Sequence, residues 1–176
     1  MQDINPEDII VLDESGSDLS QTSDYARAAG GERAKAAKPH APGGKRFSII
    51  GAISTSAIVA MMYIDCAING NIFVEFIRKL LPKLRPGQYL VMDNISFHKK
   101  EMVKTLVESV GARVVFLPPY SPELSPIEKM WSKIKHFIKQ KKPRTEADFY
   151  NTLFSASAEI NEEDLEAWYE DCGYQI

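Results

Sequence analysis

The chain is 176 residues long, 44% hydrophobic and 26% charged, which is the composition of one globular domain with a real core and excludes a disordered or fibrous polypeptide. Two cysteines, Cys66 and Cys172, without metal-ligand or CxxC spacing, exclude a disulfide framework and point to a reducing, cytoplasmic compartment. No signal peptide is expected from MQDINPEDII, and the net charge of −3, taken alone, argues against a nucleic-acid partner.

In chain order, the apolar run Asp8 to Asp13 predicts a short buried strand, closed by a turn at Asp-Glu-Ser-Gly. Residues 14–45, rich in Gly, Ala, Ser and Pro, predict a long irregular segment. Phe47 to Ile64 holds 18 residues without a charge, the lower edge of a membrane span. Its β-branched residues, Gly51 and the Ser54-Thr55-Ser56 break fit two strands better, over 46–54 and 57–65, and no membrane partner is expected. Ile72, Phe73, Phe76, Ile77, Leu80 and Leu81 predict a helix ended by Pro82 and Pro86. Gln88 to Asp93 reads as a second apolar strand ending in an aspartate. Met102 to Val110 reads as a helix closed by Gly111, and Arg113 to Leu117 as a strand. After a stiff Pro-Pro-Tyr-Ser-Pro loop, Ile127, Trp131, Ile134 and Ile138 mark an amphipathic helix, and two more helices are predicted near 146–158 and 162–171. This order predicts a single α/β domain over 1–176: a mixed sheet with helices on both faces and a C-terminal helical tail over 145–176.

Charge is segregated along the chain. Residues 1–26 hold seven acids and no bases, and residues 145–176 hold nine acids and no bases. Between them lie two basic blocks. Residues 27–46 carry Arg27, Arg33, Lys35, Lys38, Lys45 and Arg46, and residues 129–144 carry Lys129, Lys133, Lys135, Lys139, Lys141, Lys142 and Arg144. Such blocks supply phosphate contacts, and they also occur as plain solvated faces. On the 127–142 helix, Glu128, Ser132, Lys135 and Lys139 fall on one stripe, opposite the apolar one.

Asp13 and Asp93 each end an apolar run, and Glu128 opens the amphipathic helix with 34 residues between it and Asp93. Strand-terminal aspartates also serve as turn formers or caps. If the two strands are parallel neighbours, their ends meet at one edge of the sheet, where open α/β sheets bind ligands. Three convergent carboxylates raise one another's pKa values, a cost that a pair of hard divalent cations removes.

The segment Val91-Met92-Asp93-Asn94-Ile95-Ser96-Phe97-His98, followed by Phe116-Leu117-Pro118-Pro119-Tyr120-Ser121-Pro122-Glu123-Leu124-Ser125-Pro126-Ile127-Glu128, resembles the catalytic core of the mariner-type DDE transposase superfamily, and most of all its bacterial insertion-sequence branch. Val11 to Gly16, Tyr25 to Arg33, Ile50-Gly51-Ala52, Ala67 to Gly70 and Cys172-Gly173-Tyr174 are similar to further family segments. The resemblance implies a ribonuclease-H-like fold in which Asp13, Asp93 and Glu128 bind two Mg²⁺ or Mn²⁺ ions for DNA cleavage and strand transfer. Asn94 and His98 are the expected supporting residues, and His98 fits a phosphate contact or helix packing equally well. Glu14 is expected to be solvated or structural.

Lys129, Lys135, Lys139, Lys142, Arg33 and Lys38 are the expected contacts to double-stranded DNA, both transposon ends and target. A homodimer on DNA in the bacterial cytoplasm, associated with the nucleoid, follows from the same resemblance. Where the family usually has Asn before Pro-Ile-Glu, this chain has Ser125, which loses an amide and loosens the seat of Glu128. The family's N-terminal helix-turn-helix region is not found here, so the expectation is either a separately encoded or frameshift-joined region or a chain that is a fragment. The alternatives are an inactive remnant that only binds DNA or a partner, and a two-metal hydrolase of small substrates, which the cationic stripe disfavours.

Overall fold

A computed structural model describes residues 4–19, 45–93, 100–119 and 121–175. One mixed sheet has the strand order β3-β2-β1-β4-β5. Its strands are β1 Ile9–Asp18, β2 Arg46–Ile53, β3 Ile58–Ile64, β4 Tyr89–Met92 and β5 Arg113–Phe116. β1, β2 and β3 are antiparallel neighbours, while β4 joins β1, and β5 joins β4, in parallel. Helices α1 Gly70–Leu80, α2 Lys100–Glu108, α3 Pro126–Lys141, α4 Glu146–Ala158 and α5 Glu162–Asp171 complete the chain.

Strand residues alternate between two cores. Ile9, Val11, Phe47, Ile49 and Val91 face α3, α4 and α5, where they meet Ile127, Trp131, Ile134, Phe149, Leu153 and Tyr169. Ile10, Leu12, Ile50, Leu90 and Met92 face α1 and α2, where they meet Phe73, Phe76, Ile77, Val103 and Val107. Helices therefore cover both faces, and the near-continuous apolar runs of β1 and β4 are those of strands buried on both sides. The uncharged 47–64 stretch is a hairpin: Ser54 Oγ accepts hydrogen bonds from the backbone N–H groups of Ser56 and Ala57 at the turn. No helix among the described residues is long and apolar enough to cross a membrane.

Two expectations are corrected. β1 does not end at Asp13 but runs on to Asp18, because β2 supplies a ladder partner at every step from Val11↔Ile53 to Asp18↔Arg46. Pairing with β2 overrides the turn chemistry of Asp-Glu-Ser-Gly, so the predicted irregular segment loses residues 14–18 to the sheet. The second concerns 145–176, which is not a tail. Thr145 and Asn161 open α4 and α5 with capping boxes, and both helices pack into the core. Tyr169, fully buried, donates its hydroxyl to the carbonyls of Ile9 (3.2 Å) and Ile53 (2.9 Å), tying α5 to β1 and β2. Tyr169→Phe leaves those carbonyls without this donor, so chemical denaturation is expected to show a loss of about 1–2 kcal/mol with the fold retained.

Candidate active site

Parallel pairing of β1 with β4 stops at Leu12↔Met92. Asp13 and Asp93 each follow that last pair by one residue, and the Asp93 charge is felt at Asp13. Past this point β1 continues along β2 alone, so the two aspartates stand where the sheet parts, on the face covered by α3. Pro126 occupies the first turn of α3, with Ser125 as its N-cap, and Glu128 follows in that turn. The Ser125 side chain, buried, makes no capping hydrogen bond.

Asp13 is 9% exposed, whereas Asp93 and Glu128 are exposed. Burial, then the nearby charges of Glu128 and Asp93, push the Asp13 carboxyl up to about 7, against the backbone N–H of Glu14 and the Trp131 indole, which favour the ionised form. Trp131 Nε1–H donates to Asp13 Oδ2 over 3.1 Å. The indole fits because Asp13's cross-strand partner is Gly51: a Cβ there would lie 2.8 Å from Trp131 Cη2. Trp131 was legible in the sequence as a core position but not as a partner of Asp13.

The three acids share one field, but they are not drawn into a closed cluster. Among the described residues, no three His, Cys, Asp or Glu side chains are gathered to hold a metal. The donor set nevertheless fits a hard divalent cation. It consists of carboxylate oxygens alone, and the buried member carries a raised pKa that a neighbouring positive charge would relieve.

Glu14 departs from the solvated reading. It lies on the other sheet face, half-buried, with Oε1 unpartnered and its carboxyl pushed up to about 7 by burial. It lines a cleft of about 700 Å³ with Lys45, Arg46, Ser48 and Asp65. Asn94, His98, Arg33 and Lys38 lie outside the described residues, as does Tyr120.

The basic helix divides into two sides. Lys129 is paired with Asp171 at 2.6 Å, and Lys133 with Asp164, so α5 engages both. Lys129, one of the expected DNA contacts, is thus ion-paired on the α5 side of α3. Lys135 and Lys139 instead line a cleft of about 400 Å³ with Gly16, Ser132 and His136, beside the far end of β1. Lys142 caps α3 in the left-handed conformation (φ 52°) and is exposed.

A mixed sheet with an acid on the central strand, a second at the end of its parallel neighbour and a third on the covering helix is the arrangement of a ribonuclease-H-like domain. The sequence matches the family model of DDE superfamily endonucleases over residues 8–149, and the chain belongs to that family. Among solved structures it is similar to the Mos1 transposase paired-end complex with left transposon end, at 15% identity and a TM-score of 0.80, covering 95% of this chain and 52% of that one. It is also similar to the Mos1 mariner paired end complex with Mn, at 15% identity and a TM-score of 0.78, covering 93% and 52%. The catalytic domain of Mos1 mariner transposase matches at 13% identity and a TM-score of 0.72, covering 94% and 77%. The chain thus spans about half the length of the Mos1 chains in those complexes. No curated protein sequence matches it.

Because the folded pKa of Asp13 lies above its unfolded value of 3.8, its contribution to stability is fully present below pH 4 and is lost as pH rises through about 7. The metal-free protein is therefore expected to melt at a lower temperature at pH 7.5 than at pH 5 by an amount that Asp13→Asn reduces. A thermal scan of both proteins across that range checks it.

Proposed function

We propose that this chain is the catalytic domain of a transposase that cleaves DNA and transfers strands with the help of two Mg²⁺ or Mn²⁺ ions held by Asp13, Asp93 and Glu128. One observation carries the reading: in a chain of the DDE superfamily endonucleases, a buried carboxylate stands at the parting of two parallel strands within the field of two more acids. When bound, such a cation pair would activate a water or a 3′-hydroxyl for in-line attack and stabilise the leaving oxygen.

The chain's own residues supply the rest. Asp13, fixed by Trp131 and the Glu14 backbone, is the preorganised acid. Asp93 and Glu128, exposed after β4 and at the start of α3, are proposed as the other two oxygen ligands. Lys135 and Lys139 line a cleft with one wall on β1, and they fit a DNA backbone running along α3 toward Glu128. Asn94 and His98 are proposed as supporting residues next to Asp93, and Lys142, Arg33 and Lys38 as outer DNA contacts. The assembly proposed is a homodimer on DNA in the bacterial cytoplasm, as in the insertion-sequence branch, with transposon ends recognised through an N-terminal DNA-binding region. The Mos1 complexes with transposon-end DNA and with Mn support DNA and a divalent cation as partners.

In a plasmid-nicking assay with Mg²⁺ or Mn²⁺, Asp13→Ala, Asp93→Ala and Glu128→Ala are each expected to lower the rate on the order of 100-fold or more. Lys135→Ala and Lys139→Ala should weaken DNA binding and flatten its salt dependence by about one unit of slope each. Metal-independent background nicking with DNA binding intact would instead identify a binding module that has lost its chemistry.

A further inference from the structure

We propose that Trp131 is the positioning residue of the acidic site: its indole N–H holds Oδ2 of Asp13, so that the first acid and the helix carrying Glu128 keep one fixed spacing for a divalent cation. This rests on the reading of the three acids as cation ligands. Three observations carry it.

The hydrogen bond is buried, between a tryptophan 1% exposed and an aspartate 9% exposed. A buried indole needs an acceptor, and any backbone carbonyl would serve; the acceptor here is the buried carboxylate of the site. Trp131 also stands one helical turn beyond Glu128, so fixing the indole against β1 fixes the start of α3 as well. Finally, the space for the indole is cut from Asp13's own register partner, Gly51, at which no Cβ could fit without displacing the ring.

An indole N–H can donate but not accept, so it occupies a single lone-pair position of Oδ2. The Glu14 backbone N–H also favours the ionised carboxylate. The remaining lone pairs stay available to a cation. Trp131 thus acts on Asp13 from behind, as the partners of metal-ligating side chains do in orienting their ligands.

The test uses the full chain with Mg²⁺ or Mn²⁺ alone. Trp168→Phe removes the other of the two tryptophans and leaves Trp131 as the sole indole reporter. Titration with diamagnetic Mg²⁺ is expected to change its emission saturably, and adding Asp13→Asn should abolish the change. By calorimetry, Trp131→Phe, which keeps an aromatic ring but no N–H, is expected to weaken Mn²⁺ binding roughly ten-fold. Saturable Mn²⁺ binding by the parent chain with a silent Trp131 emission, or with equal affinity in Trp131→Phe, would overturn the positioning role while leaving the acidic site intact. Failure of the parent chain to bind either ion would overturn the site itself. The emission experiment keeps Trp131 in place, so it decides the matter even if Trp131→Phe does not fold.

Discussion

A carboxylate taken out of water at the point where two parallel strands separate is the constraint on which the rest of the molecule turns. Asp13 is costly where it stands: burial opposes its charge, and two further acids oppose it again. The fold accepts that cost on a strand held by β2 from Val11 to Asp18 and released by β4 after Leu12. Strain of this kind belongs on a rigid element, since a loop would relax and let the side chain reach solvent. The sheet prevents that escape with an apolar layer on each side, built from Val11 and its neighbours on one face and Leu12 and its neighbours on the other.

Docking α3 converts that strained position into a site. The helix buries Ile127, Met130, Trp131, Ile134 and Ile138 against the sheet and leaves Glu128 outside the contact. The seam is closed by a large residue against a very small one, Trp131 over Gly51, directly across the strand pair from Asp13. Interdigitation of this sort fixes both the rotation of the helix and its distance from β1, because a close-packed interior tolerates little displacement. The same contact thus places an acid, satisfies it and locates a second one.

Much of this was legible in the sequence. The apolar runs, the Ser54–Ser56 break, the spacing of Phe73, Phe76, Ile77 and Leu80, and the prolines around the third helix locate the described strands and helices, the far end of β1 excepted, because each rests on local periodicity or on a breaker. The resemblance to DDE transposases carried Asp13, Asp93 and Glu128. What escaped was tertiary. The extension of β1 through Asp18 depends on a partner strand some thirty residues away in sequence, and no local signal in Glu-Ser-Gly-Ser-Asp announces it. Trp131 looks like any core tryptophan until its acceptor is known, and Glu14 looks like any surface acid until the chain has closed around it. Lys129 looked like the first of a row of cations because its partner, Asp171, lies 42 residues further on.

That last pairing explains why so acidic a segment follows so basic a helix. Ion pairs at a protein surface, such as the exposed Lys129–Asp171 and the half-buried Lys133–Asp164, add little stability, commonly about 0–1 kcal/mol each. Their larger effect is on the field. By engaging the lysines on one side of α3, the acids of α5 leave the positive potential weighted toward the other side, where Lys135 and Lys139 line the cleft beside Gly16. Potentials inside a cleft are focused by its low-dielectric walls, while charges on an open surface are screened within about 8–10 Å. A nearly neutral domain can therefore carry a cationic cleft on one side of a helix whose other side is charge-balanced. For a protein of net charge −3 that is read as handling DNA, the distribution of charge over the faces of one helix carries the information that the total conceals.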